Sequence, residues 1–123
     1  MSQRIGILGL GEMGGMAGRL LLAQDLAVSA VDRLSAAWLP EAGGALVTDA
    51  KSLAEQSDIV ILLLATEDAV EDTIFGDTGL AAGVREGLIV ADMGTFSVAL
   101  KERVRDALEG RGAVALDTPI SGT

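Results

Sequence analysis

Short runs of small or branched apolar residues give way, again and again, to stretches in which apolar side chains recur at helical spacing. Arg4 to Leu8 is a compact apolar run that stops at a cluster of glycines. Met13, Met16, Ala17, Leu20 and Leu21 then recur three and four residues apart, which predicts a helix with one apolar face. Ala27 to Val31 is a second run ending at Asp32, followed by a helix-like stretch from Leu34 to Glu41 that Gly43 and Gly44 close. Ala45 to Val47 predicts a brief third strand, and Thr48 or Asp49 can cap a helix reaching about Gln56. Asp58 to Ala65 holds the longest uninterrupted apolar run. Its lack of alternation predicts a strand buried on both faces, as in a parallel sheet covered by helices.

The second half repeats the pattern. Glu67 to Phe75 predicts a helix, and Gly76, Gly79, Gly83 and Gly87 a loop leading to a fifth strand, Leu88 to Ala91. From Ser97, a candidate N-cap, to Glu109, the positions Leu100, Val104, Ala107 and Leu108 share one helical face while charges fill the other. Gly110 and Gly112 end that helix, and Ala113 to Leu116 predict a sixth strand that runs into Asp117. Strands alternating with helices imply one α/β domain: a Rossmann-type, doubly wound parallel sheet of six strands in the order 3-2-1-4-5-6. A chain of 123 residues, 50% of them hydrophobic, has room for one such core and not for two.

Composition removes several chemistries. Cysteine, histidine and tyrosine are absent, so these residues hold no thiolate nucleophile, no Ser-His-Asp triad and no Tyr or His proton donor. The lack of cysteine fits a reducing, cytoplasmic setting. A net charge of −9, with the basic residues scattered, argues against a nucleic-acid partner, whose phosphates demand clustered Lys and Arg. The apolar run Ile59 to Ala65 is far below the ~20 residues of a membrane-spanning helix, and the N-terminus, broken by Gly6 and Gly9, makes a poor signal peptide.

One motif carries chemical information. "GLGEMG", comprising Gly9, Leu10, Gly11, Glu12, Met13 and Gly14, follows the first strand and opens the first helix, and Asp32 ends the second strand 21 residues after Gly11. Gly9 permits the tight turn, Gly11 lets a pyrophosphate approach the backbone, and Gly14 lets the helix pack closely. The helix N-terminus then offers free amides and a favourable dipole to the phosphates. Asp32 can accept hydrogen bonds from both hydroxyls of an adenosine ribose and repel a 2′-phosphate, which favours NAD. The adjacent Arg33 can pair with that phosphate and favour NADP. Leu64, Ala65 and Thr95 end strands four and five and are expected to line the same crevice. Thr95 can equally well serve as a helix cap beside Ser97.

Taken together, "GLGEMGGMAGRL", "VADMGTFS" and "LDTPISGT" resemble the N-terminal domain of the β-hydroxyacid dehydrogenases, the 3-hydroxyisobutyrate dehydrogenase family, along the whole chain. The family pattern G-L-G-x-M-G-x-x-M-A-x-N-L is met with one residue fewer between Gly14 and Met16 and with Arg19 in place of the Asn. The pattern D-x-S-T-x-x-P survives as Asp92 and Thr95, with Gly94 and Val98 as departures. The pattern D-x-P-V-S-G-G is met by Asp117, Pro119, Ser121 and Gly122, with Ile120 and Thr123 differing. The resemblance implies hydride transfer between a nicotinamide cofactor and a small 3-hydroxy acid whose carboxylate is held by Ser121, Gly122 and the amide of Thr123.

It also implies a following helical domain, lying beyond these residues, that supplies a proton-donor lysine and, in a full-length protein, most contacts of a homo-oligomer. Lys51 and Lys101, the lysines of this chain, are expected on outer helix faces away from the crevice, so the chain alone is expected to bind dinucleotide with little or no turnover. Two other readings share the glycine motif: an imine reductase-like oxidoreductase, and a regulatory nucleotide-sensing module that lacks catalysis.

Overall fold

The computed structural model describes residues 3–119, so the expected substrate residues Ser121, Gly122 and Thr123 lie outside the described residues. Strands β1 (Arg4–Leu8), β2 (Ala27–Val31), β3 (Ala45–Val47), β4 (Ile59–Leu62), β5 (Ile89–Asp92) and β6 (Val114–Asp117) form one sheet in the order β3-β2-β1-β4-β5-β6. All neighbouring pairs are parallel. Both the strand number and the order match the sequence expectation, with β4, β5 and β6 each starting one residue later than expected and β4 ending at Leu62 instead of Ala65.

Five helices connect the strands: α1 (Glu12–Ala23), α2 (Ala50–Glu55), α3 (Glu67–Ile74), α4 (Leu80–Gly83) and α5 (Val98–Glu109). Polar side chains begin three of them. Asp49 accepts the amide of Ser52 at 2.8 Å, Thr66 that of Ala69 at 3.0 Å, and Ser97 that of Leu100 at 3.2 Å. The stretch expected to be helical from Leu34 to Glu41 holds only a 3-10 turn, Leu34–Ala36, followed by turns. Pro40 lacks a donor and the next glycines end the segment, so a helix there has too few hydrogen bonds to propagate. The glycine-rich segment after α3 contains the short helix α4, which glycine spacing had marked as loop.

Alternate side chains along each strand fall into two apolar cores, one on each face of the sheet. One gathers Leu8, Val31, Val60, Leu62 and Val90 under α2 to α5. The other gathers Ile5, Ile7, Val28 and Ala30 under α1 and the 34–39 segment. The packing face of α1 differs from the expected one. Met13, Met16 and Leu20 are 51%, 58% and 65% exposed, while Gly14, Gly15 and Gly18 are buried. Side chains are missing from the inner face, so the helix lies close to the sheet. Leu21 and Leu22 fill its flank, and Arg19 stacks on Trp38 at 3.9 Å.

Burial of β4 on both faces is likewise not met. Val60 and Leu62 are buried in the larger core, but Ile59 and Ile61 are only half-buried, and so are Ile89 and Ala91 of β5. On β6, Val114 and Leu116 are exposed. Right-handed crossovers put the helices after β4 and β5 on the same side, opposite α1, so no helix among the described residues covers these side chains.

At the N-terminal edge of the sheet, Asp58 accepts bonds from the Arg4 amide at 2.9 Å and the Arg4 guanidinium at 3.1 Å. The Arg4 hydrogen bonds hold the Asp58 carboxyl below its ordinary range. A carboxyl whose folded value is depressed stabilises the fold above its unfolded value, about 3.9. That contribution is lost as pH falls through the folded value. Asp58→Asn should therefore flatten the acid limb of the stability curve, from about pH 4 downward, while leaving a small deficit at neutral pH. Urea melts across that range measure both effects.

Candidate functional site

The carboxyl end of β1 dictates the geometry of the site. Gly9 has φ +96°, and a Cβ there would overlap the carbonyl of Leu63, lying 2.7 Å from its carbon. The backbone of β1 therefore turns tightly against the end of β4, where the Leu63 amide donates to Leu8 at 2.8 Å. Gly14 is constrained in the same way: its Cβ would overlap the carbonyl oxygen of Gly9 and sit 2.9 Å from its carbon. The first turn of α1 thus rests directly on the turn that precedes it.

Gly11 differs from both. It is the N-cap of α1, with extended backbone, and a Cβ built on it meets nothing within 4 Å. Packing within the protein gives no reason for a glycine there. Unlike α2, α3 and α5, α1 has no side-chain cap, and the amides of Glu12, Met13 and Gly14 have no partner among the described residues. The first amide to pair is that of Gly15, which donates to Gly11 at 2.8 Å.

A groove of about 400 Å³ opens at this mouth. Gly9, Leu10 and Gly11 form one wall, and Arg33 and Ser35 a second. Leu63, Leu64 and Ala65 form a third, which α3 extends with Ala69, Asp72 and Thr73. Of the residues expected from sequence, Gly9, Leu10, Gly11, Arg33, Leu64 and Ala65 are brought together here. Asp32 directly follows β2 and is not among the groove-lining residues; its carboxylate is exposed and unpaired among the described residues, and its amide donates to the Val47 carbonyl at 2.8 Å. Glu12 and Met13 are exposed on the first turn of α1, and Gly14 is buried beneath it.

Sequence reasoning missed Ser35, Ala69, Asp72 and Thr73. Ser35 stands two residues after the recognised Arg33. The α3 residues had only one signal, the topology that starts a helix at the carboxyl end of β4. Thr95 does not line this groove. It lines a second cavity, of about 340 Å³, between α5 and the ends of β5 and β6. Lys101 lines that cavity too, and its position corrects the expectation of an outer, solvated lysine. Its ammonium lies 2.7 Å from Asp117 and 3.5 Å from Asp92, with the side chain 16% exposed. It stands three residues before Val104 and seven before Leu108, so its Cα flanks the buried face of α5 and its long stem reaches the strand ends.

The family described as the NAD binding domain of 6-phosphogluconate dehydrogenase matches residues 4–123. The chain belongs to that family. Its relatives include L-threonate dehydrogenase of Escherichia coli K12, 34% identical over 96% of this chain and 40% of its own length. The solved 3-hydroxyisobutyrate dehydrogenase of Mycobacterium tuberculosis, with L-serine, superposes with a TM-score of 0.84 at 29% identity, over 99% of this chain and 42% of that one. A protein named Psf3, in complex with NADP+ and 2-OPP, superposes at 0.87 with 30% identity, over 96% of this chain and 43% of that one. An imine reductase from Myxococcus stipitatus, at 17% identity and a TM-score of 0.80 over 94% of this chain and 39% of that one, shares the fold alone. The chain thus spans about two-fifths of the length of the proteins it resembles. It is similar to the nucleotide-binding part of hydroxyacid dehydrogenases, as the three motifs implied.

The contrast between the glycines of this NAD-binding domain is measurable. Gly9→Ala should lower stability by roughly 1–3 kcal/mol through backbone strain. Gly11→Ala should change it by no more than about 0.5 kcal/mol. Thermal and urea melts of the two variants without any ligand check the difference.

Proposed function

We propose that the groove at the mouth of α1 binds NAD or NADP, and that the chain is the dinucleotide-binding part of an oxidoreductase acting on a small 3-hydroxy acid. The observation carrying this reading is the empty space beside Gly11 at an uncapped helix N-terminus. The fold leaves room for a side chain there and the sequence supplies none, which is what close approach of a pyrophosphate requires. The amides of Glu12, Met13 and Gly14 would receive the phosphate oxygens, and the apolar wall of Leu64, Ala65 and Ala69 suits a flat base. When bound, the dinucleotide donates or accepts the hydride.

Cofactor preference turns on two neighbours at the end of β2. Asp32 would grasp the ribose hydroxyls of NAD, the reading the sequence favoured, whereas Arg33, with Ser35 beside it in the groove wall, offers donors to a 2′-phosphate. Thr95 would serve the nicotinamide or substrate side from the neighbouring cavity, and Ser121, Gly122 and Thr123 would hold the substrate carboxylate. The reading assigns the proton-donor lysine to a separate helical domain. Lys101 is engaged with two carboxylates and is not a substitute. The oxidoreductase names of the relatives support this reading over a nucleotide-sensing module.

Calorimetry with NADH and NADPH tests the proposal on the chain as it stands. Wild type should bind at least one of them, and Gly11→Val should weaken that binding roughly tenfold or more through lost charge-assisted hydrogen bonds. Equal affinity in the two proteins overturns the reading. Arg33→Ala should weaken NADPH by about tenfold and spare NADH if the guanidinium reads the phosphate. A uniform effect assigns the preference to Asp32.

A further inference from the structure

Asp92 and Asp117 are direct register partners on the adjacent parallel strands β5 and β6, so two carboxylates face each other where both strands leave the sheet. Like charges placed directly opposite push their strands apart. Between them lies the Lys101 ammonium, 2.7 Å from Asp117 and 3.5 Å from Asp92. Lys101 and Asp92 are mostly covered, at 16% and 15% exposure, so solvent screens this contact less than a surface pair. Asp92 also governs the chain on either side. Its carboxylate accepts the Gly94 amide at 3.1 Å, which starts the segment holding Thr95, and its backbone carbonyl accepts the Thr118 amide at 3.0 Å, which starts the exit from β6.

We propose that Lys101 is a positioning residue: by neutralising the facing carboxylates of Asp92 and Asp117 it fixes the spacing between the Thr95 loop and the Thr118–Pro119 exit. Its role is to hold these two segments in one relation, without contacting the reacting atoms. Its significance for catalysis rests on the proposed function, in which both segments serve the nicotinamide and substrate side. The other charged groups around the cavity do not replace it. Glu102 carries the wrong sign, and Arg105 pairs with Asp106 at 3.4 Å.

The test is amide hydrogen exchange at Gly94, Thr95 and Thr118, read by NMR on the 123-residue chain. Lys101→Met, which keeps the length and apolar stem but removes the charge, should accelerate exchange at Gly94 and Thr118 by about tenfold, the effect of one lost charge-assisted hydrogen bond. Amides in β1 and β2 should be unchanged. Lys101→Arg should stay within a few-fold of wild type. In the Lys101→Met background, adding Asp117→Asn should restore much of the protection, because it removes the repulsion that the lysine had masked. A lysine that acted only by packing would not be rescued that way. Wild-type exchange in Lys101→Met, or a loss that Asp117→Asn fails to reduce, overturns the proposal. Adding NADH or NADPH separates the two readings. If wild type binds neither, the cofactor assignment fails while the ligand-free exchange result still decides the role of Lys101. If wild type binds, the dinucleotide should slow exchange at Thr95, and Lys101→Met should retain binding in the glycine groove while losing that protection.

Discussion

The first helix can approach the sheet closely because its inner face carries hydrogens where other helices carry side chains. The carbonyl of Gly9 lies directly beneath Gly14, and one turn on a Cβ at Gly18 would meet the Trp38 ring at 3.3 Å and Ile7 of β1 at 3.7 Å. That approach fixes where the helix begins, and with it the direction of the amides its N-terminus leaves unpaired. A side chain at Gly14, where backbone stands in its way, would lift the helix and turn those amides away from the groove. The binding geometry is therefore a consequence of backbone packing, before any side chain has contributed specificity.

Much of this was legible in the sequence. The six apolar runs and the helical stretches between them led directly to the strand order, because parallel strands joined by right-handed crossovers allow few alternatives. The glycine motif was readable because each glycine has a separate mechanical reason. The face of α1 was misread because methionine and leucine at helical spacing normally mark the buried side. Here the buried side was marked by glycine, which carries no hydrophobic signal. Ser35, Asp72 and Thr73 were missed because they converge only through topology, each from an element whose own sequence does not mention the others.

The misplacement of Lys101 has a different cause. Helical spacing sets it three residues before Val104 and seven before Leu108, on the flank of the buried face, but its charge was read as a mark of the solvated side, and a pattern of positions does not say where a four-carbon stem will fold. Only the register of β5 against β6, which sets Asp92 beside Asp117, shows why a cation is wanted at that place. Charge at the glycine groove follows the opposite logic. There the backbone supplies the partial positive charge, Arg33 stands in the groove wall, and the exposed carboxylate of Asp32 precedes it in the chain.

The half of the sheet formed by β4, β5 and β6 has one face well covered and the other lined by isoleucine, valine and leucine still in partial contact with water. Any apolar surface laid over it would remove that area from solvent and favour the folded state over the unfolded chain by mass action. A partner covering that face would thus raise the domain's thermal midpoint without altering any contact inside its own core.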